Sequence, residues 1–336
     1  MVNTQHKSFR ADDRSYFSLI KKEIHSLVAA AGFDEVKAGR IDIVVSELTS
    51  NLNKYAKGGE LLAGIGKDAL GVYAEIISFD SGPGISDLSR VLSDGYSSTS
   101  TLGHGLGSIK RLSDVFDIFS LKDWGTIILS RFYREELPGF TRKRLDCHGV
   151  NIPKNGQQVS GDGYCFADTE DGFRLLIADG LGHGLEAHEA VKKATESFLF
   201  CEEESPSETL RFIHSRIRKS RGIVGAVIRY THPVRQWKYA GVGNIAVRWL
   251  SPFGNRNYIA YNGIIGYNIP GSMNDQVLSQ EDYSQFVACS DGIRSRWDFA
   301  RFPAVLQHHG TIIATALYKE YARGTDDASV IVCKSV

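Results

Sequence analysis

The stretch GFRLLIADGLGHGLEAHEA, residues 172–190, determines the fold class of the C-terminal part of the chain. Its apolar first half predicts a buried strand over 172–179, and the glycines that follow separate this strand from a predicted helix over about 184–201. Two more helices, at about 206–220 and 308–322, complete a pattern of many strands with few helices, which indicates an α+β sandwich. The other predicted strands lie at 145–152, 161–168, 223–230, 236–243, 245–250, 283–289 and 327–333.

Aspartates recur in this region at glycine-rich turns and at the ends of apolar strands, namely Asp162, Asp179, Asp291, Asp326 and Asp327. Any one Asp-Gly pair predicts no more than a turn. Carboxylates that gather at strand ends repel one another unless a counter-charge is present, and Mg²⁺ or Mn²⁺ with oxygen ligands supplies that charge. The set therefore predicts a two-metal site, which can activate a water and hold a phosphoryl group for in-line attack.

The N-terminal part alternates between two kinds of periodicity. Apolar positions at helical spacing predict helices, and shorter apolar runs predict strands. The predicted helices lie at 16–31, 34–56 and 105–114, and the predicted strands at 60–66, 70–80 and 125–133. Helices and strands mixed in this way indicate a sandwich of one sheet and one helical layer.

Glu47 and Asn51 lie four residues apart on the second predicted helix, so they share one face, and Lys54 follows a turn later. A carboxylate and an amide in this arrangement can hold Mg²⁺ and orient a hydroxyl or a water. Without other evidence, such residues are more typical of an exposed polar helix face. The loops that follow change this balance.

Asp80 ends a predicted strand and precedes a turn that contains Gly82 and Gly84. A carboxylate in that place can accept a hydrogen bond from an exocyclic amine, and the glycines let a flat base approach the backbone. Residues 103–107, GHGLG, then lead directly into a helix, whose free N–H groups suit phosphates. Together with Glu47 and Asn51, these elements predict a nucleotide site.

The stretches ELTSNLNKYAKGG (47–59), DSGPGI (80–85) and YSSTSTLGHGLGSIKRLSD (96–114) resemble the Bergerat-fold ATPases, and among them the RsbT-type switch kinases and anti-sigma factors of bacterial stress signalling. The resemblance implies ATP as cofactor, with Asn51 as the Mg²⁺ ligand, Glu47 as the base and Asp80 as the adenine contact. It also implies that residues 86–102 form a lid. The other implied pocket residues are Lys54, Gly82, Gly84, Gly103, His104, Gly105, Leu106 and Gly107.

The stretches VSGDGY (159–164), IADGLGHGLEAHEA (177–190), CSDGI (289–293) and GTDDASVIV (324–332) resemble the PPM family of metal-dependent protein phosphatases, in particular its SpoIIE and RsbX branch. The resemblance implies an α-β-β-α sandwich that binds Mg²⁺ or Mn²⁺. The implied metal ligands are Asp162, Asp179, the Gly180 carbonyl, Asp291 and Asp326.

These patterns predict a Bergerat-type α/β sandwich over 1–134, a polar linker over 135–144 and a PPM-type sandwich over 145–336. Lys and Arg total 39, as do Asp and Glu, so the formal net charge is zero. This charge is evidence neither for nor against a nucleic-acid partner. The basic run Arg216, Arg218, Lys219 and Arg221 is typical of a solvated helix face, and a phosphate-binding patch is the alternative. No apolar stretch has membrane-spanning length and no signal peptide is present, which predicts a cytoplasmic protein with reduced cysteines.

The two resemblances together predict a bifunctional regulator of a partner-switching pathway. Its kinase-like part would phosphorylate a STAS-domain antagonist on serine or threonine, and its phosphatase part would remove that phosphate. One alternative leaves only the phosphatase catalytic, with the N-terminal domain as an ATP-dependent sensor. The other makes the N-terminal domain an anti-sigma module within a sigma-factor regulatory complex.

Overall fold

The sheets of the computed structural model are built from antiparallel strand pairs. The structure describes residues 4–11, 13–56, 58–92, 105–137, 145–251 and 254–335. The chain divides into two compact units, and neither is one continuous segment. The N-terminal unit consists of His6–Thr141 and Asp298–Lys319, and the C-terminal unit consists of Met1–Gln5, Arg142–Trp297 and Glu320–Val336.

The N-terminal unit contains a five-stranded sheet in the order β1-β2-β3-β5-β4. Its strands are β1 (His6–Arg10), β2 (Glu60–Asp68), β3 (Gly71–Phe79), β4 (Val115–Leu121) and β5 (Gly125–Tyr133). Its helices are α1 (Phe17–Ala30), α2 (Glu35–Tyr55), α3 (Leu88–Leu92), α4 (Gly105–Leu112) and most of α7 (Gly310–Tyr321), with 3₁₀ turns at Arg14–Tyr16 and Pro303–Gln307.

One face of this sheet packs on α1, α2 and α4 because apolar side chains of α1 and α2 recur at helical spacing toward it. Ile24, Ile41 and Leu48 of the two helices are fully buried and share one core cluster with Ile76 and Ile128 of the sheet. The Asp34 side chain caps α2 by accepting from the Lys37 amide at 2.7 Å. The predicted sandwich of one sheet and one helical layer is therefore present.

The opposite face of the same sheet is also buried, since every residue of β5 is buried. Within the N-terminal unit, residues 298–319 pack on this face. The ring of Tyr318 lies edge-on to Phe79 at a centroid distance of 5.9 Å, and Lys319 donates to the Trp124 carbonyl at 2.8 Å. A segment from the C-terminal half of the sequence thus belongs to the N-terminal unit. The predicted domains, 1–134 and 145–336, were each one continuous segment.

A buried ion pair lies in the middle of that second face. Glu75 and Arg131 are directly opposite each other in the β3–β5 register, and each is 1% exposed. Arg131 Nε donates to Glu75 Oε2 at 2.9 Å, while Thr311 Oγ1 on α7 and the ring of His6 also contact the carboxylate. Burial disfavours the charge of Glu75, but Arg131 outweighs it and holds the pKa of Glu75 well below its usual range.

The C-terminal unit is a sandwich of two five-stranded sheets, in the orders β13-β10-β9-β8-β7 and β12-β11-β14-β15-β6. The first sheet contains β7 (Asp162–Thr169), β8 (Gly172–Gly180), β9 (Ile223–Thr231), β10 (Gln236–Val242) and β13 (Gln276–Ser279). The second contains β6 (Leu145–Ile152), β11 (Ala246–Leu250), β12 (Arg256–Asn257), β14 (Gln285–Cys289) and β15 (Ala328–Ser335).

Alternation along the strands of the C-terminal unit separates two cores. Ile177 of β8 and Phe286 of β14 point into the cluster between the two sheets. Leu176 and Ala178 of β8 point the other way, into a cluster with helices α5 (Leu185–Phe200) and α6 (Pro206–Arg216). The helices and antiparallel sheets confirm the predicted α+β class. The C-terminal unit shows the order helix, sheet and sheet, while most of α7, the helix predicted over 308–322, belongs to the N-terminal unit.

The structure corrects the sequence analysis at four strands and one cysteine pair. The strands without a matching prediction are the short polar strand β1, the edge strand β4 and the short strands β12 and β13. Cys147 and Cys333, expected to be reduced, face each other across β6 and β15 with Cα atoms 4.1 Å apart and form a disulfide. The two cysteines are 186 residues apart in sequence, so local patterns could not predict the pairing of β6 with β15 that brings them together. No helix among the described residues is long and apolar enough to cross a bilayer.

We predict that Glu75→Gln lowers the free energy of unfolding by about 3–5 kcal/mol, because it removes the fully buried carboxylate that balances the Arg131 charge and leaves Asp68, 3.7 Å away and partly exposed, to do so. The difference from wild type should shrink as the pH falls below about 4, since a carboxylate with a lowered folded-state pKa loses its contribution there. Urea unfolding followed by tryptophan fluorescence measures both effects. Glu23→Gln, which breaks an exposed ion pair with Lys7, is the matched control and should cost less than about 1 kcal/mol.

Candidate functional sites

The strand register of the C-terminal unit brings the predicted aspartates together. Asp162 opens β7 and Asp179 lies near the end of β8, and the two are directly opposite each other in the antiparallel pairing. Asp291 follows β14, and Asp326 precedes β15, which pairs with β14. Apolar strand interiors hold these positions in register, so the carboxylates meet at one edge of the sandwich.

Two of these carboxylates are strongly perturbed. Burial and the nearby charges of Asp327 and Asp291 raise the pKa of Asp162 to about 7, and its buried Oδ2 atom has no hydrogen-bond partner among the described residues. Burial raises the pKa of Asp179 to about 9, with contributions from all four neighbouring aspartates. Bound protons or a bound cation can relieve such mutual repulsion.

A cavity of about 360 Å³ lies beside these groups and is lined by Asp179, Gly180, Asp291 and Asp326. No three Asp, Glu, His or Cys side chains of the described chain converge closely enough to hold a metal ion directly. The oxygen donors instead stand around the cavity, an arrangement that suits hard cations such as Mg²⁺, which keep several of their waters. The orphaned Asp162 oxygen and the purely oxygen donor set fit Mg²⁺ or Mn²⁺.

Asp327 has a different role from its neighbour Asp326. It is 3% exposed, and its two carboxylate oxygens accept from the backbone amides of Lys154 and Gly161 at 2.8 and 2.9 Å. Its carboxylate therefore holds the loop before Asp162 in place.

Sequence motifs did not assign two polar residues, of which one lines the cavity and the other lies beside Gly182, a lining residue. Asn244, on the turn after β10, donates from Nδ2 to Asp291 Oδ2 at 2.9 Å and so orients that carboxylate. Arg221, from the basic run expected to be solvated, pairs with Glu186 and lies against Gly182 at the cavity rim. Its Nη1 atom is 2.8 Å from the place that a Cβ on Gly182 would take.

The N-terminal unit brings Glu47, Asn51 and Gly105 together. Glu47 and Asn51 are partly buried on one face of α2, and α4 is described from Gly105 onward. A Cβ on Gly105 would lie 3.4 Å from Glu47 Oε2 and 3.8 Å from both polar side-chain atoms of Asn51. The polar face of α2 therefore faces the N-terminal end of α4, as a site for a nucleotide phosphate and its Mg²⁺ requires.

Asp80 lies directly after β3, and its Oδ1 accepts from the Gly82 amide at 2.6 Å. Burial raises the pKa of Asp80, while this amide and the charge of Lys319 oppose the shift. Gly84 has φ +75°, and a Cβ there would lie 2.3 Å from the Leu121 carbonyl, so the turn needs glycine. Asp80 thus lies in a close-packed turn that directly follows β3, the middle strand of the sheet.

The remaining predicted pocket residues fall into three groups. Gly107 is buried within α4, and Leu106 packs against the core cluster between the helices and the sheet. Lys54 is exposed at the end of α2. Gly103 and His104, with residues 93–102 of the predicted lid, lie outside the described residues. The ligand roles of all these residues stay predictions.

The chain thus combines a unit in which Glu47, Asn51 and Gly105 lie together with a double-sheet sandwich that has a carboxylate-lined cavity. Its N-terminal region is 41% identical over 101 residues to the serine/threonine-protein kinase RsbT of Bacillus subtilis (strain 168), a match that spans 29% of this chain and 73% of that protein. The N-terminal part of the chain therefore belongs to the RsbT family of serine/threonine-protein kinases. No protein-family profile matches the chain.

Solved structures resemble a larger part of the chain. One belongs to work on the bacterial stressosome as a modular system adapted to control secondary messenger signaling, with 28% identity, a TM-score of 0.53 and coverage of 57% of this chain and 100% of that one. Another is RsbX in complex with magnesium, with 18% identity, a TM-score of 0.50 and coverage of 59% and 98%. The C-terminal unit has the PPM phosphatase fold.

We predict that Asp179→Asn raises the melting temperature in EDTA and abolishes the further rise that Mn²⁺ gives the wild-type chain. A carboxylate whose folded-state pKa is raised destabilises the metal-free fold above its unfolded pKa, so its removal relieves repulsion. Differential scanning fluorimetry with and without Mn²⁺ measures both. Asp168→Asn, an exposed position on the same sheet, is the control. A lower melting temperature in EDTA for Asp179→Asn alone would contradict the electrostatic argument.

Proposed function

We propose that this chain is a bifunctional regulator of a partner-switching pathway that both adds and removes a phosphate on one STAS-domain protein. The observation that carries the proposal is the presence, in one polypeptide, of an RsbT-family region and a PPM-fold unit with a carboxylate-lined cavity. A kinase and a phosphatase in one chain can set the phosphorylation level of one protein if they share it as a substrate. The proposed partner is a STAS-domain antagonist of a sigma-factor regulatory complex.

The C-terminal cavity supports hydrolysis of phosphoserine or phosphothreonine. Bound Mg²⁺ or Mn²⁺ would supply charge neutralisation and an activated water, so that no protein nucleophile is needed. Asp162, Asp179, Asp291, Asp326 and the Gly180 carbonyl are the proposed ligands. Asn244 keeps the Asp291 carboxylate in one orientation through its 2.9 Å hydrogen bond.

The N-terminal site supports transfer of phosphate from ATP. Asn51 is the proposed Mg²⁺ ligand. Glu47 is the proposed group that orients the acceptor hydroxyl, and its position close to Gly105 at the start of α4 supports this proposal. Asp80, in its turn beside Gly82, is the proposed adenine contact. Phosphoryl transfer depends mainly on positioning and electrostatic stabilisation, which these groups can supply.

The central test uses a STAS-domain protein, phosphorylated and unphosphorylated, with the full-length chain, Mn²⁺ and ATP. We expect the wild-type chain to release phosphate from the phosphorylated form and Asp179→Asn to lose this activity by at least about 100-fold. We expect Asp179→Asn to accumulate phosphoprotein with ATP, and the double variant Asp179→Asn/Asn51→Ala to accumulate none. Phosphate analysis by mass spectrometry measures both directions.

The outcomes separate the two activities. Hydrolysis without any phosphorylation would limit catalysis to the C-terminal unit and leave the N-terminal unit as an ATP-binding sensor. No phosphate transfer in either direction would contradict the two-enzyme proposal. A stable complex of the N-terminal unit with a sigma subunit would then favour an anti-sigma role.

We further predict that Arg221→Ala raises the KM for the phosphorylated substrate by about tenfold with little change in kcat. Its guanidinium is the cation at the rim beside Gly182, where it can attract a phosphate dianion into an otherwise acidic cavity. Steady-state kinetics at two salt concentrations measure the effect, which high salt should reduce. Arg218→Ala, an exposed position of the same basic run, is the matched control and should leave KM unchanged.

A further inference from the structure

The first described residues of the chain are held against the loop that leads into Asp162. Thr4 is 2% exposed, and Gln5 belongs to the C-terminal unit although residue 6 starts the first strand of the N-terminal unit. Gln5 Nε2 donates to the Gln158 carbonyl at 2.9 Å, and the Ser160 amide donates to Gln5 Oε1 at 3.0 Å. Chain termini are usually poorly ordered unless such contacts hold them.

The two contacts have the form of strand pairing. A side-chain amide carries a donor and an acceptor at the spacing of a peptide group, and Gln158 and Ser160 offer an acceptor and a donor two residues apart. Residues 153–161 have no regular secondary structure that would satisfy these groups. Gln5 therefore takes the place of a neighbouring strand for this part of the loop.

The rest of the same loop is fixed by residues of the C-terminal unit. Ser160 Oγ donates to Asn151 Oδ1 at 2.7 Å and accepts from the Asp162 amide at 3.1 Å. The Gly161 amide donates to Asp327, and the Gly180 amide donates to the Gly161 carbonyl at 2.9 Å. A displacement of Ser160 would thus reach both Asp162 and Gly180, two of the proposed metal ligands.

We propose that Gln5 is a positioning residue of the phosphatase metal site, acting through the backbone of Gln158 and Ser160. The inference rests on the proposed function of the C-terminal cavity and adds a residue 155 positions away in sequence from the loop that it holds. Partners outside the ligand shell that fix ligand orientation are worth about 10–100-fold in metal affinity. Gln5 acts one step further out, so we expect the lower end of that range.

The test compares Gln5→Met with the wild-type chain, because methionine keeps the length of glutamine and loses both hydrogen bonds. We expect the dissociation constant for Mn²⁺, measured by titration calorimetry on the full-length chain, to rise about tenfold. The backbone amides of Gly161 and Asp162 should exchange hydrogen faster in the metal-free protein. At saturating Mn²⁺ the KM for the phosphorylated substrate should stay unchanged.

Two further variants make the outcome decisive. Gln5→Glu keeps the acceptor for the Ser160 amide and should lose less Mn²⁺ affinity than Gln5→Met, while Lys7→Met, an exposed change on β1, should match the wild type. A Gln5→Met chain with wild-type Mn²⁺ affinity and wild-type exchange would overturn this inference alone. A wild-type chain that binds no Mn²⁺ would overturn the proposed function as well.

Discussion

The ion pair between Glu75 and Arg131 is the interaction on which the arrangement of the N-terminal unit depends. Two opposite charges on adjacent strands, each 1% exposed, are tolerated only when their hydrogen-bonding groups are satisfied. Thr311 from α7 supplies one of those contacts, and Tyr73 stacks on the guanidinium at 4.1 Å. The central sheet can therefore be buried on both faces, with helices on one side and residues 298–319 on the other.

Much of the fold followed from the sequence because local patterns set local structure. The α2 helix, predicted over 34–56, is observed over Glu35–Tyr55, and β8, predicted over 172–179, is observed over Gly172–Gly180. Both have strong periodicity and glycine at their ends. The short strand β1 was not predicted, because HKSFR contains a single large apolar residue and its pairing with β2 is a long-range contact. Nor could periodicity show that α7 packs on a sheet formed far earlier in the chain.

The residues of the candidate sites also differ in how far local sequence patterns predict them. Asp179 and Asp291 could be recognised because each lies at the end of an apolar run, and strand pairing then brings them to one end of the sandwich. Asn244, Arg221 and Gln5 lie on turns or at the chain start, where their side chains have no periodic context. Their roles come from contacts across 47, 35 and 155 residues of sequence, respectively, and only the folded chain shows such contacts. The sequence thus indicated the proposed ligands and not the groups that orient them.

The interleaving of the two units has a consequence for synthesis on the ribosome. Helix α2 and strands β1 to β5 are complete once residue 133 has emerged, but the segment that covers their second sheet face ends at Lys319. At roughly 5–20 residues per second, translation leaves that face uncovered for on the order of ten to forty seconds. During this interval the nascent chain exposes apolar sheet surface of the kind that chaperones bind. The N-terminal unit therefore covers its second sheet face only near the end of synthesis, although most of its sequence is translated early.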